Sequence, residues 1–339
     1  MIAGSVAIWS GFTALCGLAG SYWQLFAFRL GVGIGEAGGV APSYALIADY
    51  FPAHRRARAL AIYSLGIPLG LAGGALIGAY LTAWISWRAA FLVMGVLGLI
   101  LAPIMLLYVR DLPRRGTAAA EQVPISKVFP ILARKPSFWL LAFASSSSSL
   151  IGYALALWTP AVMMRSFGLE LVPTGQFLAS LLLIGGSAGV FGGGWLADRL
   201  GSRNRAWYAW LPATAWVVSA FAWALGLMAP SLWVAWPLLL VGNALNILWL
   251  GPVITAVQHL APPRMRATAS GSFLLINNLI GLGIGPLLIG RVSDALKSTN
   301  GVDSLRNAAV AGTAFYLLAA LLMLFAARWL RNDWVEDPQ

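Results

Sequence analysis

Charge is what this sequence has least of. Only 10% of its 339 residues are Asp, Glu, Lys or Arg, against about 25% in an ordinary soluble domain. Acids are scarcer than bases, 11 against 22, for a net charge of +11. Cys16 is the only cysteine, which excludes an intrachain disulfide and any cysteine-based metal centre. The two histidines, His54 and His259, sit beside arginines at the ends of apolar runs, and neither has a ligand-spaced partner. They read as polar loop residues, and no metal or cofactor is expected. No Ser/His/Asp set or phosphate-binding loop is present, so an enzyme is not expected either.

What is abundant is apolar: 60% of residues are hydrophobic and the mean hydropathy is +0.80. A bilayer core of ~30 Å needs ~20 apolar residues per helix. On that ruler the chain has ten spans, near 2–20, 23–48, 59–83, 88–109, 138–163, 174–197, 206–228, 231–258, 267–290 and 307–330. Residues 1–20 have no basic leader region and read as a membrane helix rather than a cleaved signal. The expectation is an all-α polytopic membrane protein. Its Lys and Arg lie in short clusters between spans, not along a continuous groove, which excludes nucleic acid as a partner. Sixteen fall on one side and five on the other, with Arg29 inside a span. That bias predicts a cell (inner or plasma) membrane protein with both termini in the cytoplasm.

The second span is the exception to the apolar rule. WQLFAFRLGVGIGEAGGVAPSYALIADY carries Arg29 and Glu36, and a charge at the membrane centre costs at least ~2.5–3.5 kcal/mol on insertion scales. Seven residues apart on a helix, they share one face. Low dielectric favours the neutral acid while a nearby guanidinium favours the carboxylate, so Glu36 is placed to trade a proton. Two readings stay open, a proton-coupling or substrate site and a permanently ionised structural pair. The Gly33-Ile34-Gly35-Glu36-Ala37-Gly38 run matches a dinucleotide fingerprint in letters only, because no strand precedes it. Gly31/Gly35 and Gly35/Gly39 instead have the small-xxx-small spacing of close helix packing, repeated at Gly66/Gly70/Gly74/Gly78 and Gly281/Gly285.

An internal repeat organises the chain. FPAHRRARALA (51–61) and APPRMRATASG (261–271) align Arg58 with Arg266 at an offset of 208 residues, each followed by a glycine-rich span with Gly66-Ile67-Pro68 or Gly285-Pro286. Same-direction repeats of helical halves place a substrate site at the midplane between them. The expected domains are an N-terminal bundle over 1–109, a cytoplasmic linker over 110–137 and a C-terminal six-helix bundle over 138–339. By the same offset, the first copy of the GGGWLADRLGSR loop (192–203) falls before residue 1, with about two helices ahead of it. Ten of twelve spans are then present, and the charged face of the second span would open toward lipid or an unfilled gap.

These motifs carry a family resemblance. LFAFRLGVGIGEAGGVAPSYALIADYFP, SWRAAF (86–91), YALALWTP (153–160), GGGWLADRLGSR and NNLIGLGIGPLLIGRVSDAL (277–296) resemble the major facilitator superfamily, and within it the Spinster-like group. The resemblance implies a major facilitator fold of two bundles rocking about a central cavity. It implies proton coupling at Glu36 with Arg29, and a cytoplasmic latch at Gly194, Asp198, Arg199 and Gly201. Asp49, Arg58 and Arg266 are further candidates for that cytoplasmic gate, and Tyr153, Asn243, Asn246, Asn277 and Asn278 for the cavity wall, where interhelical bonding is an equal reading. The function expected is a monomeric secondary active transporter of a small organic anion or amphiphile, such as a lipid-like substrate, by alternating access with protons. The alternatives are a multidrug or aromatic-acid efflux carrier, or a truncated non-transporting paralogue.

Overall fold

A backbone in lipid must satisfy its own hydrogen bonds, so apolar runs of this length are driven to helix. The computed structural model describes residues 2–39, 42–43, 46–47, 50–51, 59, 62–109, 125–201, 203–262 and 265–335, and among these there is no strand. Its helices are α1 (Ile2–Gly17), α2 (Tyr22–Ala37), α3 (Gly66–Trp84), α4 (Trp87–Tyr108), α5 (Ile125–Ala133), α6 (Pro136–Ser166) and α7 (Leu171–Ser180). A π-helical turn (Leu181–Gly185) joins α7 to α8 (Gly186–Gly201). Then follow α9 (Trp207–Leu227), α10 (Leu232–Ile247), α11 (Leu250–Gln258), α12 (Arg266–Asn300), α13 (Ser304–Gly312) and α14 (Ala314–Asp333). Seven helical runs among the described residues are long and apolar enough to cross a membrane. The last run, Arg266–Asp333, holds both final expected spans, and α1 is a shorter apolar helix.

The chain folds as two compact units. The first comprises Met1–Thr117 with Leu171–Ala179, the second Ala118–Glu170 with Ser180–Gln339.

In the first unit α1 packs between α2 and α4, and α3 packs on α4. Ser21 caps α2 by accepting from the Gln24 N–H at 3.3 Å, and Ser86 caps α4 through the Ala89 N–H at 3.2 Å. The loop after α1 is closed by Arg88, whose guanidinium donates to the Ala19 carbonyl at 3.1 Å. The α1–α2 seam is built on glycine. A Cβ at Gly35 would stand 2.7 Å from the Trp9 backbone nitrogen, and one at Gly31 would enter the Phe12 ring. The Gly66/Gly70/Gly74/Gly78 row departs from the packing expectation, since a Cβ at any of the four meets nothing within 4 Å.

In the second unit α6 packs against α12, α13 and α14; α9 packs on α10 and α14; and α8 packs on α10 and α11. Close approach again rests on small residues. A Cβ at Gly189 would strike the Ala244 carbonyl and one at Gly193 the Leu248 carbonyl, both from the α10 side. At Gly281 and Gly285 it would strike Ser149 and Leu150 of α6. These two glycines do the packing their spacing predicts.

Candidate functional site

The charged face of α2 is fixed by its glycine face. Gly31 and Gly35 lie against α1, and at ~100° per residue this turns Tyr22, Phe26, Arg29, Gly33 and Glu36 to the other side. All five are exposed. Arg29 lies over the Phe91 ring of α4 at 4.9 Å, a cation–π contact that holds the guanidinium against the ring. No salt bridge joins Arg29 and Glu36 among the described residues, unlike Arg306 and Asp303, which pair at 2.9 Å. The ionised pair that the sequence left open is not formed as a direct contact among the described residues. In the sequence Phe91 appears only as the last residue of the SWRAAF motif, with no role attached to it.

α2 also breaks beside Glu36. The sequence predicts helix to residue 48, yet α2 ends at Ala37, and the Gly38 and Gly39 N–H groups reach back only three residues, to the Gly35 and Glu36 carbonyls at 3.3 and 3.0 Å. Helical bonding resumes with the Ser43 N–H to the Gly39 carbonyl at 3.2 Å. Discontinuous backbone at membrane depth is tolerated where it lines a cavity or is covered by protein.

In the second unit the predicted amides fall into two groups. Ser149 donates to Asn277 Oδ1 at 2.9 Å and Tyr153 to Asn278 Oδ1 at 3.0 Å, stitching α6 to α12. Ser149 and Asn277 are buried, Tyr153 and Asn278 exposed. Asn246 lies against Gly152, where an added Cβ would meet its Nδ2 at 3.1 Å. Asn243 does a different job. Buried on α10, it donates to the Leu181 carbonyl at 3.0 Å, a group at the start of the π-turn. Trp236 supports the same turn by donating to Ser180 Oγ at 2.8 Å.

The predicted gate residues of α8 lie at its C-terminal end. Asp198 and Arg199 are exposed, and Arg199 sits over the Trp195 ring at 5.4 Å. Gly194 lies beside Gly251 of α11, and Gly201 lies under the Tyr208 ring, which a Cβ there would meet at 2.5 Å. Arg266, at the start of α12, meets His259 Nδ1 at 3.2 Å. Asp49 and Arg58 lie outside the described residues. Among the described residues no group of three His, Cys, Asp or Glu is placed to hold a metal.

Comparison with known proteins agrees with this architecture. The family profile described as Major Facilitator Superfamily matches residues 1–286. An MFS-type efflux pump of Mycolicibacterium smegmatis is 34% identical, over 100% of this chain and 79% of that protein. Protein spinster homolog 1 of Homo sapiens is 28% identical over 88% of this chain, which spans about three fifths (61%) of that relative's length. Among solved structures, a bacterial homolog of the human lysosomal transporter Spinster, inward-facing and unoccupied, superposes with a TM-score of 0.86 at 28% identity, covering 99% of this chain and 84% of that one. An all-helical, multi-pass chain with these relatives belongs to the Major Facilitator Superfamily, as a Spinster-like transporter.

Proposed function

We propose that the chain is a proton-coupled secondary active transporter of a small organic anion or amphiphile, working by alternating access. The observation that carries this reading is the exposed α2 face. It holds a cation anchored on Phe91 and a carboxyl with no salt-bridge partner among the described residues, one residue before α2 ends. Glu36 binds a proton when open to one side and releases it to the other. Arg29 supplies the donor fork that a carboxylate or phosphate accepts. The Tyr153–Asn278 pair and Asn246 offer neutral polar contacts to the same substrate. Asp198, Arg199, Gly194, Gly201, Asp49, Arg58 and Arg266 gate the cytoplasmic side. The 16-to-5 distribution of Lys and Arg supports an inner or plasma membrane location with both termini cytoplasmic.

A second reading, a multidrug efflux carrier, is favoured by one specific finding: the relative at 34% identity is described as an efflux pump. Both readings meet the same assay. Purified protein in proteoliposomes is given an imposed pH gradient and a panel of lysolipids, organic anions and cationic dyes. Proton-driven uptake of an anionic or amphiphilic member is expected, and uptake of dyes alone selects the second reading. Glu36→Gln abolishes proton-driven uptake and leaves counterflow exchange. Undiminished pH-driven uptake by that variant refutes the coupling role.

A further inference from the structure

The last described residues of the chain do not end on open surface. Trp334 leaves α14 in an extended conformation (φ −68°, ψ 129°), and its indole packs against two rings. His259 stacks on it at 4.4 Å and 11°. Tyr208 stacks on it at 5.4 Å and 26°, with the Arg205 guanidinium over the indole at 5.2 Å. Neighbouring residues lock the packing in place. The Val335 N–H donates to the His259 carbonyl at 2.7 Å. The Asp333 carboxylate accepts from the Ser137 N–H at 3.1 Å and the Ser137 hydroxyl at 2.6 Å, and Lys135 Nζ donates to the Asp333 carbonyl. Residues 333–335 therefore touch the ends of α6, α9 and α11 at once.

What lies beyond each ring gives the packing its meaning. Tyr208 rests on Gly201, the glycine that ends α8. His259 is bonded through Nδ1 to Arg266, the first residue of α12. An arginine only donates, so His259 must present a lone pair there. One continuous stack runs Gly201, Tyr208, Trp334, His259, Arg266. The geometry points to Trp334 and His259 as positioning residues for the gate: together they fix the spacing between the end of α8 and Arg266. This inference rests on the gate role proposed above for Gly201 and Arg266, and extends it to a C-terminal segment that no motif marked.

The test needs no substrate. In a Cys16→Ser background a single cysteine is placed at exposed Ala267, next to Arg266, and its rate of labelling by a maleimide is measured in proteoliposomes. Arg266→Gln is expected to change that rate. Trp334→Ala and His259→Leu are each expected to change it by at least about twofold, and the double variant by no more than either alone, since residues of one stack act as a unit. Trp334→Phe, which keeps a stacking ring, restores the rate. If Arg266→Gln alters labelling while Trp334→Ala and His259→Leu leave it unchanged, the positioning role is overturned and the gate stands. If none of the three alters it, the gate reading falls and this inference with it. His259→Leu keeps Trp334 and the C-terminal hydrogen bonds, so it answers the question even where Trp334→Ala fails to fold.

Discussion

Two glycines on α2, two residues apart, are expected to respond to the same substitution in opposite ways. A Cβ at Gly35 would stand 2.7 Å from the Trp9 nitrogen, 2.9 Å from Trp9 Cβ and 3.0 Å from Trp9 Cα. Two of those are backbone atoms of α1 and cannot swing aside, so the helices must separate. A Cβ at Gly33 meets nothing within 4 Å. Alanine is intrinsically the better helix former by ~1 kcal/mol, and that gain is common to both positions. Overpacking a tight seam costs about 1–3 kcal/mol, and only Gly35→Ala incurs it. Because the propensity gain cancels, Gly35→Ala should lie about 1–3 kcal/mol below Gly33→Ala, with Gly33→Ala at or slightly above the parent. Unfolding of the purified variants in one detergent, by heat and by denaturant, reads the order directly. Equal stabilities, or Gly33→Ala the weaker, would refute the glycine-seam account of why Arg29 and Glu36 face outward. The charged face would then need another cause.

Asn243→Leu removes the donor to the Leu181 carbonyl, and a buried carbonyl left without its partner costs about 1–3 kcal/mol. Asn243→Asp replaces that donor with an acceptor and should be worse still, and a stability series that ranks Asp above Leu contradicts the assigned bond. Asp333→Ala removes a carboxylate cap from the first turn of α6, worth ~1 kcal/mol, whereas Asp333→Asn, which keeps an acceptor, should lose less. The same variant has a pH signature. Burial pushes the Lys135 ammonium below the usual lysine range and Asp333 draws it back up. A lysine with a depressed native value binds fewer protons folded than unfolded, so stability rises with pH through the native value toward ~10.4. Without Asp333 that rise should begin at lower pH, which unfolding curves across the alkaline range would reveal.

The sequence made some of this legible and hid the rest for physical reasons. Hydropathy located the helices because a bilayer leaves the backbone no other solution. The seven-residue spacing of Arg29 and Glu36 placed them on one face, since helical period is a property of the chain itself. Glycine spacing was a weaker guide. Gly31/Gly35 and Gly281/Gly285 each meet a neighbouring helix, while Gly66/Gly70/Gly74/Gly78 carries the same pattern and meets nothing within 4 Å. Spacing states that a face is small, and only tertiary structure decides what lies opposite. The Trp334 stack was invisible for the same reason. Its members, from Gly201 to Trp334, are brought together by five helix ends and share no local period. His259, read as a polar loop residue, turned out to bond an arginine and stack on an indole.

Both units place a backbone irregularity beside a candidate transport element, and the two are satisfied differently. After Glu36 the helix tightens into three-residue bonds at Gly38 and Gly39, a local repair that needs no partner from another helix. At Leu181–Gly185 the helix widens into a π-turn, and the Leu181 carbonyl takes its bond from Asn243 on α10. At the first irregularity Gly38 and Gly39 lie against Ser5 and Trp9 of α1 but their N–H groups bond within their own helix, whereas the second cannot change without losing the Asn243 bond. An acid that must alternate between two exposures is better placed beside the first kind. The asparagine at the second kind belongs to the scaffold, so the loss of Asn243 should disturb stability before it disturbs substrate preference.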